Sequence, residues 1–482
     1  MAASSARDAT ITVLDAGSIH KITSGQVVVD LQTAVKELVE NSLDAGATTI
    51  DVRFMEYGLE SFEVVDNGSG IPPQDYDYIA LKHHTSKLAS FTDLESVSTF
   101  GFRGEALSSL CALADSVSVT TATAAEAPVG TVIEFERTGK LKSKKAKAAR
   151  QRGTTVTVSG LFKPLPVRRK ELERNAKREY AKALSLLHAY ALVPCAHENR
   201  GVRLTVTNHT AQGCKSVQVR TDGTPSTRAS VSAIWGPKAL EHLVDLDLAF
   251  PVEPEAAVLR RLGRAQDDER ANEVKVKGLI SKFAVGCGRN GTDRQFFFVN
   301  GRPCAPSKVQ KAFNEVYRSF NATQSPFVIA DFILPTDSCD INVSPDKRTI
   351  LLHSENNLVQ ALKVCTRARV VSCAHCFVGS ARGDVRALAV DVRRQPVAGS
   401  EESRPRCDAA RANRQESGSA VPSRRRSREY HPKHSAVAAE LTTAGRRRRG
   451  DARRRCSGGL CVRRACALVR VFAVAGFARA GG

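Results

Sequence analysis

The stretch QTAVKELVENSLDAGAT, Gln32–Thr48, carries two stripes at once. Val35, Leu38, Val39 and Leu43 recur at helical spacing and predict a buried face. Glu37, Asn41 and Asp44 fall at i, i+4 and i+7 and align on a second face. A carboxylate one turn from a carboxamide has a chemical use. The first can orient or deprotonate a water attacking a phosphoryl group, and the second can ligate a Mg²⁺ that keeps its waters. The same spacing also describes a solvated helix face, so this helix alone leaves both readings open.

Three further segments bear on the choice. FEVVDNGSGIP reads as a strand ending in a glycine-rich turn. There Asp66, an acceptor-only carboxylate, suits an adenine amino group, and Gly68 and Gly70 let backbone approach base and sugar, although Asp-Asn-Gly is also an ordinary turn. In TFGFRGEALSSLCALA, Gly101 and Gly104 flank a helix start, whose N–H groups from Gly101 to Ala106 suit phosphates. Just before it, HHTSK offers the hydroxyls of Thr85 and Ser86 and the cation of Lys87 to a lid. His83 and His84 in the same motif have nothing at metal-ligand spacing around them and read as structural or surface residues. RGTTVTVSGLF sets Thr154 at a strand start, either as a plain strand residue or as a hydrogen-bond partner of the base. The phosphate loop G-x-x-x-x-G-K-[ST] and a strand-borne G-x-G-x-x-G are both missing, so a nucleotide site here needs another architecture.

A chain of 482 residues has room for two or three domains. Its net charge of +21 is unevenly placed, because Cys365 to Gly482 holds 25 arginines and one lysine against nine acidic residues. The other residues carry only +4, compatible with an anionic partner without establishing one. Six of the 13 cysteines lie before residue 365, widely spaced, and read as reduced and intracellular. The CAHC at Cys373–Cys376 lacks a second pair for a zinc site. No apolar run approaches the ~20 residues that cross a bilayer, and the N-terminus lacks a secretory apolar segment, so a soluble, non-secreted protein without membrane contact is expected.

Helical and strand patterns alternate throughout, which predicts an α/β fold of the α+β sandwich type. The turn-rich TDGTPSTRAS divides a first domain, residues 1–227, from a second α/β domain, residues 228–364. EPEAAVLRRLGRAQDDERANE reads as an insertion or exposed surface helix, KELERNAKREYAKALSLLHAYAL as one long helix, and KLKSKKAKAARQR as a basic hairpin tip. The last is either merely solvated or a contact to a phosphate backbone. Residues 365–482 form a low-complexity basic tail that builds no core.

The order E-x-x-x-N, D-x-G-x-G, G-F-R-G-E-A-L, G-T-T-V resembles the GHKL ATPases. KELVENSLDAGAT, DNGSGI, HHTSK, GFRGEALSSLCAL, LFKPLPVRRKEL, FFFVNGRP and DINVSPDKRTI narrow the resemblance to the MutL mismatch-repair family, in its eukaryotic postmeiotic-segregation branch, over roughly residues 11–362. The resemblance implies a GHKL ATPase domain followed by a smaller transducer domain of ribosomal-protein-like fold, with ATP and Mg²⁺ as cofactors. It makes Glu37 the general base, Asn41 the Mg²⁺ ligand and Asp66 the adenine-reading acid. Gly101, Phe102, Arg103, Gly104 and Glu105 become the phosphate-wrapping lid, and Lys347 reaches the γ-phosphate from the second domain. ATP is then expected to order the lid and bring two N-terminal halves together as a clamp on DNA. Lys144, Lys145, Arg294 and Arg302 would face the duplex. The implied partners are double-stranded DNA, a second MutL homologue and a MutS-type mismatch-recognition complex, in the nucleus.

The family's D-Q-H-A-x-x-E-x-x-x-x-E nuclease motif does not occur, so neither the nuclease nor the C-terminal dimerisation domain is credited to this chain. The resemblance stops after HSENNLVQALK, where composition changes, and the arginine-rich tail reads as an out-of-frame or intron-read-through translation. Two rival functions stay in view: a DNA-binding scaffold that uses ATP only to change shape, and another GHKL enzyme such as a topoisomerase subunit or histidine kinase.

Overall fold

The computed structural model describes residues 11, 13–88, 99–196, 201–253, 272–340, 342–345, 347–352 and 354–378. Most of the segment read as an insertion, and the tail beyond residue 378, lie outside the described residues.

The opening stretch is helix α2 (Leu31–Asp44), preceded by α1 (Ala16–Val27). Asp30 caps α2, accepting from the Thr33 N–H at 2.8 Å and the Thr33 hydroxyl at 2.7 Å. The apolar stripe is buried as its spacing predicts, but Lys36, Glu37 and Glu40 are buried too, so the polar side of this helix is not a wet face. In β1 (Thr49–Met55), Ile50, Val52 and Phe54 are fully buried on alternate positions. In β2 (Ser61–Asp66) the same period buries Phe62 and Val64 and carries Asp66 inward with them. Each of these large apolar side chains contributes ~1.5–3 kcal/mol on burial, which is enough to hold an acid on the inner face.

Among the described residues these strands sit in an eight-stranded sheet ordered β5–β4–β3–β6–β2–β1–β7–β8. Its other members are β3 (Ser116–Ala122), β4 (Val129–Phe135), β5 (Leu141–Ala149), β6 (Gly153–Ser159), β7 (Arg203–His209) and β8 (Lys215–Arg220). Only β1 and β7 pair in parallel. The sheet packs with α2, α3 (Ala106–Leu113) and α5 (Ala176–Ala196). The predicted long helix is in fact two, α4 (Pro166–Arg174) and α5, broken at Asn175. The Asn175 backbone leaves helical geometry there, at φ −115° and ψ 19°, although its N–H still donates to the Glu171 carbonyl.

KLKSKKAKAARQR is likewise not a hairpin tip. Most of it forms the edge strand β5, paired antiparallel with β4, with Lys142, Lys144, Lys145 and Lys147 exposed. Lysines there protect an open edge from further strand addition, a structural duty independent of any ligand. Lys144 also pairs with Asp77 at 3.1 Å.

A second sheet, ordered β12–β11–β13–β10–β9, comprises β9 (Leu243–Val252), β10 (Asn272–Ser281), β11 (Gln295–Val299), β12 (Arg302–Cys304) and β13 (Val328–Ile333). The run QFFFV divides by period 2. Phe296 and Phe298 join the first hydrophobic core, which also contains Val231 of α6 (Thr227–Trp235). Phe297 and Val299 join a second core with Phe313 of α7 (Ser307–Arg318) and Leu362 of α8 (Glu355–Val378). Apolar packing therefore runs across residues 227 and 228. Helix α8 also continues through Cys365 to Val378, so the change in composition there is not a helix end. A short ribbon, β14 (Cys339–Asp340) with β15 (Leu351–Leu352), carries the loop that contains Lys347.

Two side chains expected to face DNA make intramolecular contacts at this junction. Arg302 is only 7% exposed, and its guanidinium donates to the carbonyls of Thr99 at 2.7 Å and Phe100 at 3.0 Å while stacking on the Phe100 ring. Arg294 lies over the Trp235 ring at 5.0 Å and the Phe327 ring at 5.5 Å. The Arg302 guanidinium is thus occupied by backbone carbonyls and an aromatic ring, while that of Arg294 is partly exposed beside two aromatic rings. Next to Arg294, burial and that cation push the His188 imidazole down to about 4.

Arg302→Ala should destabilise the protein by about 2–4 kcal/mol, since two carbonyls lose their donors, whereas Lys145→Ala should change stability by less than ~0.5 kcal/mol. Denaturant midpoints check both. His188 stays neutral in the folded state while the unfolded chain takes up a proton below about 6.5, so its contribution is present above that pH and is lost as pH falls towards about 4. Stability should drop by ~1–2 kcal/mol between pH 7 and pH 5, and His188→Gln should flatten that slope in urea titrations at the two pH values.

Candidate active site

A cavity of about 710 Å³ opens between α2, the ends of β2 and β6, the segment before α3, and the Lys347 loop. That volume lies within the usual ligand range. Glu37, Asn41, Asp66, Gly70, Thr85, Ser86, Lys87, Gly101, Phe102, Arg103, Gly104, Glu105, Thr154 and Lys347 all line it. Gly68 does not; its N–H instead donates to Asp66 Oδ1 at 2.8 Å.

At the inner end, Asp66 Oδ1 also accepts from the Thr154 N–H at 3.0 Å, and Oδ2 accepts from the Ser42 hydroxyl at 2.9 Å. Burial pushes this carboxyl above the ordinary range, and the Gly68, Thr154 and Ser42 donors oppose the shift. Oδ2 keeps accepting capacity for a donor in the cavity. Thr154 shares a hydrogen bond of 3.1 Å with Thr121, which also accepts from the Ile71 N–H. Gly70 has φ +76°, and a Cβ there would lie 2.2 Å from the Ala122 carbonyl oxygen. The neighbouring strand, as much as any ligand, requires glycine at that point.

At the outer end, the Lys87 ammonium donates to Asn41 Oδ1 at 2.8 Å and to Asp44 Oδ2 at 2.6 Å. Two oxygens thus converge on one cation. Asp44 does more than shape the helix end, because Oδ1 accepts from the Phe100 N–H at 2.8 Å and Oδ2 from the Gly101 N–H at 2.9 Å. With Arg302 on the Thr99 and Phe100 carbonyls, that segment is held from both domains. Gly104, at φ +62°, faces the His84 backbone so closely that a Cβ would lie 2.4 Å from its carbonyl oxygen. Glu105 precedes the first turn of α3 and faces Lys82 and His83. Arg103 donates to Asn342 and to the Ser344 carbonyl, tying the lid segment to the Lys347 loop.

Between the two ends lies a buried charge cluster. Glu37 Oε1 accepts from Lys36 Nζ at 2.7 Å, and Oε2 from Lys347 Nζ at 3.2 Å. Lys36 also donates to Glu40 Oε2 at 2.9 Å, and the Tyr190 hydroxyl donates to Glu40 Oε1 at 2.5 Å. Burial would raise the Glu37 carboxyl, but Lys36 and Lys347 outweigh it and bring it to about 2. Lys347 enters from a left-handed backbone position, φ +55°, with its ammonium 5.3 Å from the Phe102 ring. The structure brings Glu37, Asn41 and Lys347 to one cavity, with Lys36, Glu40, Tyr190 and Thr121, which the sequence did not single out, packed around its residues. The i, i+4 relation of Lys36 to Glu40 was a visible signal, but its burial depends on Tyr190, 150 residues away.

Residues 29–153 match the family described as histidine kinase-, DNA gyrase B-, and HSP90-like ATPase, and residues 257–369 match DNA mismatch repair protein, C-terminal domain. The Gallus gallus protein named mismatch repair endonuclease PMS2 is 48% identical over 354 residues, covering 73% of this chain and 40% of that relative. The Saccharomyces cerevisiae DNA mismatch repair protein PMS1 is 44% identical over 349 residues, covering 72% and 39%. The chain therefore spans about two fifths of the length of these curated relatives. The solved N-terminal domain of a DNA repair protein is 40% identical, with a TM-score of 0.64 over 74% of this chain and 99% of that one. The chain belongs to the MutL family of DNA mismatch repair proteins, close to PMS1 and PMS2, and carries a GHKL ATPase domain.

Proposed function

We infer that this cavity binds ATP with Mg²⁺ and hydrolyses it. The observation that carries the reading is Lys347, a cation from the second domain, held at 3.2 Å on the buried Glu37 carboxylate within the cavity. A γ-phosphate arriving there competes for that ammonium. Once Lys347 turns to the phosphate, Glu37 loses one of its two cations, becomes a stronger base, and frees Oε2 to accept from an attacking water. The lysine thereby couples the terminal phosphate to the position of the second domain.

Asp66 Oδ2 and the Thr154 hydroxyl suit the adenine, and Gly101 to Glu105 with Thr85 and Ser86 suit the phosphates. Asn41 Oδ1 is the oxygen that would hold Mg²⁺, and its present grip on the Lys87 ammonium indicates that the position favours a cation. When bound, the ion would neutralise phosphate charge and help align the γ-phosphoryl group for attack.

On this reading ATP drives N-terminal pairing with a second MutL homologue and clamp-like engagement of double-stranded DNA in the nucleus, downstream of a MutS-type complex. The exposed lysines of β5, Lys144 and Lys145 included, are the cations available for phosphate contacts, with steep salt dependence and no sequence readout. Hydrolysis by this chain is favoured over the non-hydrolysing scaffold because Glu37 has both an ionised carboxylate and a second cation that a phosphate can remove. Nuclease activity, named for the PMS2 relatives, is not assigned to this shorter chain.

Glu37→Ala should retain ATP binding and lose hydrolysis by roughly 10²-fold or more. Asn41→Ala should lose Mg²⁺-dependent binding itself. Nucleotide-binding titrations with single-turnover hydrolysis check the pair, and normal turnover in Glu37→Ala would remove Glu37 as the base.

A further inference from the structure

We propose that Lys36 is a positioning residue for hydrolysis: braced by Glu40 and Tyr190, its ammonium fixes one oxygen of Glu37 and leaves the other for the attacking water. The inference rests on the reading of Glu37 as base.

Lys36 is 2% exposed, and a lysine so buried stays charged only beside anions. Here it has two, Glu37 Oε1 at 2.7 Å and Glu40 Oε2 at 2.9 Å. Glu40 is itself 1% exposed, and its second oxygen is taken by the Tyr190 hydroxyl of α5, so its carboxylate is held from two helices. Lys36 in turn is held between neighbours on its own helix. The two lysines on Glu37 therefore differ in kind. Lys347 belongs to a loop of the second domain and can leave for a phosphate, whereas Lys36 has no comparable anion to leave for.

The division of labour follows from burial. Burial alone raises the Glu37 carboxyl, and a protonated carboxyl is no base. When Lys347 departs, Lys36 is the cation that still opposes protonation and still orients the group. Because Glu40 already shares Lys36, the loss of Lys347 leaves Glu37 with less counter-charge and lets it accept a proton more readily than in the doubly paired state. The other groups that face this cluster are Tyr190 from α5 and, behind it, Arg302 from β12, both held by contacts already described. A purely structural Lys36 would serve only to neutralise Glu40 in the core.

The test uses the full chain and compares wild type, Lys36→Met, Lys36→Arg, Lys36→Met/Glu40→Gln and Glu37→Ala in ATP hydrolysis across pH, alongside fluorescent-nucleotide binding. In Lys36→Met, nucleotide affinity should stay within about two-fold and kcat should fall roughly 10- to 100-fold near neutrality. Its acid limb should move to higher pH, so that part of the loss returns in alkali, and Lys36→Arg should recover most of the rate. Wild-type kcat and pH profile in Lys36→Met would overturn the proposal. If that variant does not fold, the same result in Lys36→Met/Glu40→Gln, which removes the buried pair together, would do so. Normal hydrolysis in Glu37→Ala would instead remove the underlying base assignment, whereas an inactive Glu37→Ala beside unaffected Lys36 variants would sink the positioning role alone.

Discussion

Glu37 is almost fully buried at the cavity wall, and Lys36 and Lys347 both meet its carboxylate and outweigh the burial that would protonate it. One of those lysines comes from its own helix and the other from a loop more than 300 residues later in the chain. Much of the architecture serves that meeting. The first sheet and α5 bury the polar side of α2, and the second sheet supplies the ribbon whose loop delivers Lys347. With Lys347 withdrawn, Lys36 still opposes protonation of the carboxylate, whereas loss of both cations would leave burial to drive proton uptake.

The other contacts around the cavity hold the same elements in register. Asp44 takes two N–H groups of the lid segment while Arg302, from the second sheet, takes two of its carbonyls. Arg103 binds the lid segment to the Lys347 loop. A nucleotide entering here meets one connected set of charged groups rather than separate subsites, so pulling on Lys347 or Lys87 acts on both domains. That connection is a physical basis for proposing that the terminal phosphate controls domain arrangement.

The helix α2, the strands through FEVVDNG and TTVTVSG, and the helix in GEALSSLCALA were legible because their apolar periods are local and clear. The inward placement of Asp66 on the cavity wall follows from the period of β2. The intramolecular contacts of Arg294 and Arg302 were not legible, because a cation beside FVNGRP looks alike in sequence whether it meets a phosphate, a carbonyl or a ring. What distinguishes them is the packing of Trp235, Phe327 and Phe100 against each guanidinium, which depends on distant chain segments. The break at Asn175 was hidden for the opposite reason: one residue with non-helical backbone angles interrupts an otherwise continuous helical pattern. Lysines along β5 read as a loop because charge concealed a strand whose partner, β4, supplies the pairing.

The most direct measurement follows the Glu37 side-chain carboxyl by ¹³C NMR through an acid titration, with and without Mg²⁺ and a non-hydrolysable ATP analogue. In the free protein it should remain ionised down to about 2. With the analogue bound, its titration should move to higher pH as Lys347 transfers to the γ-phosphate. An identical titration in the two states would contradict the exchange of Lys347 between base and nucleotide.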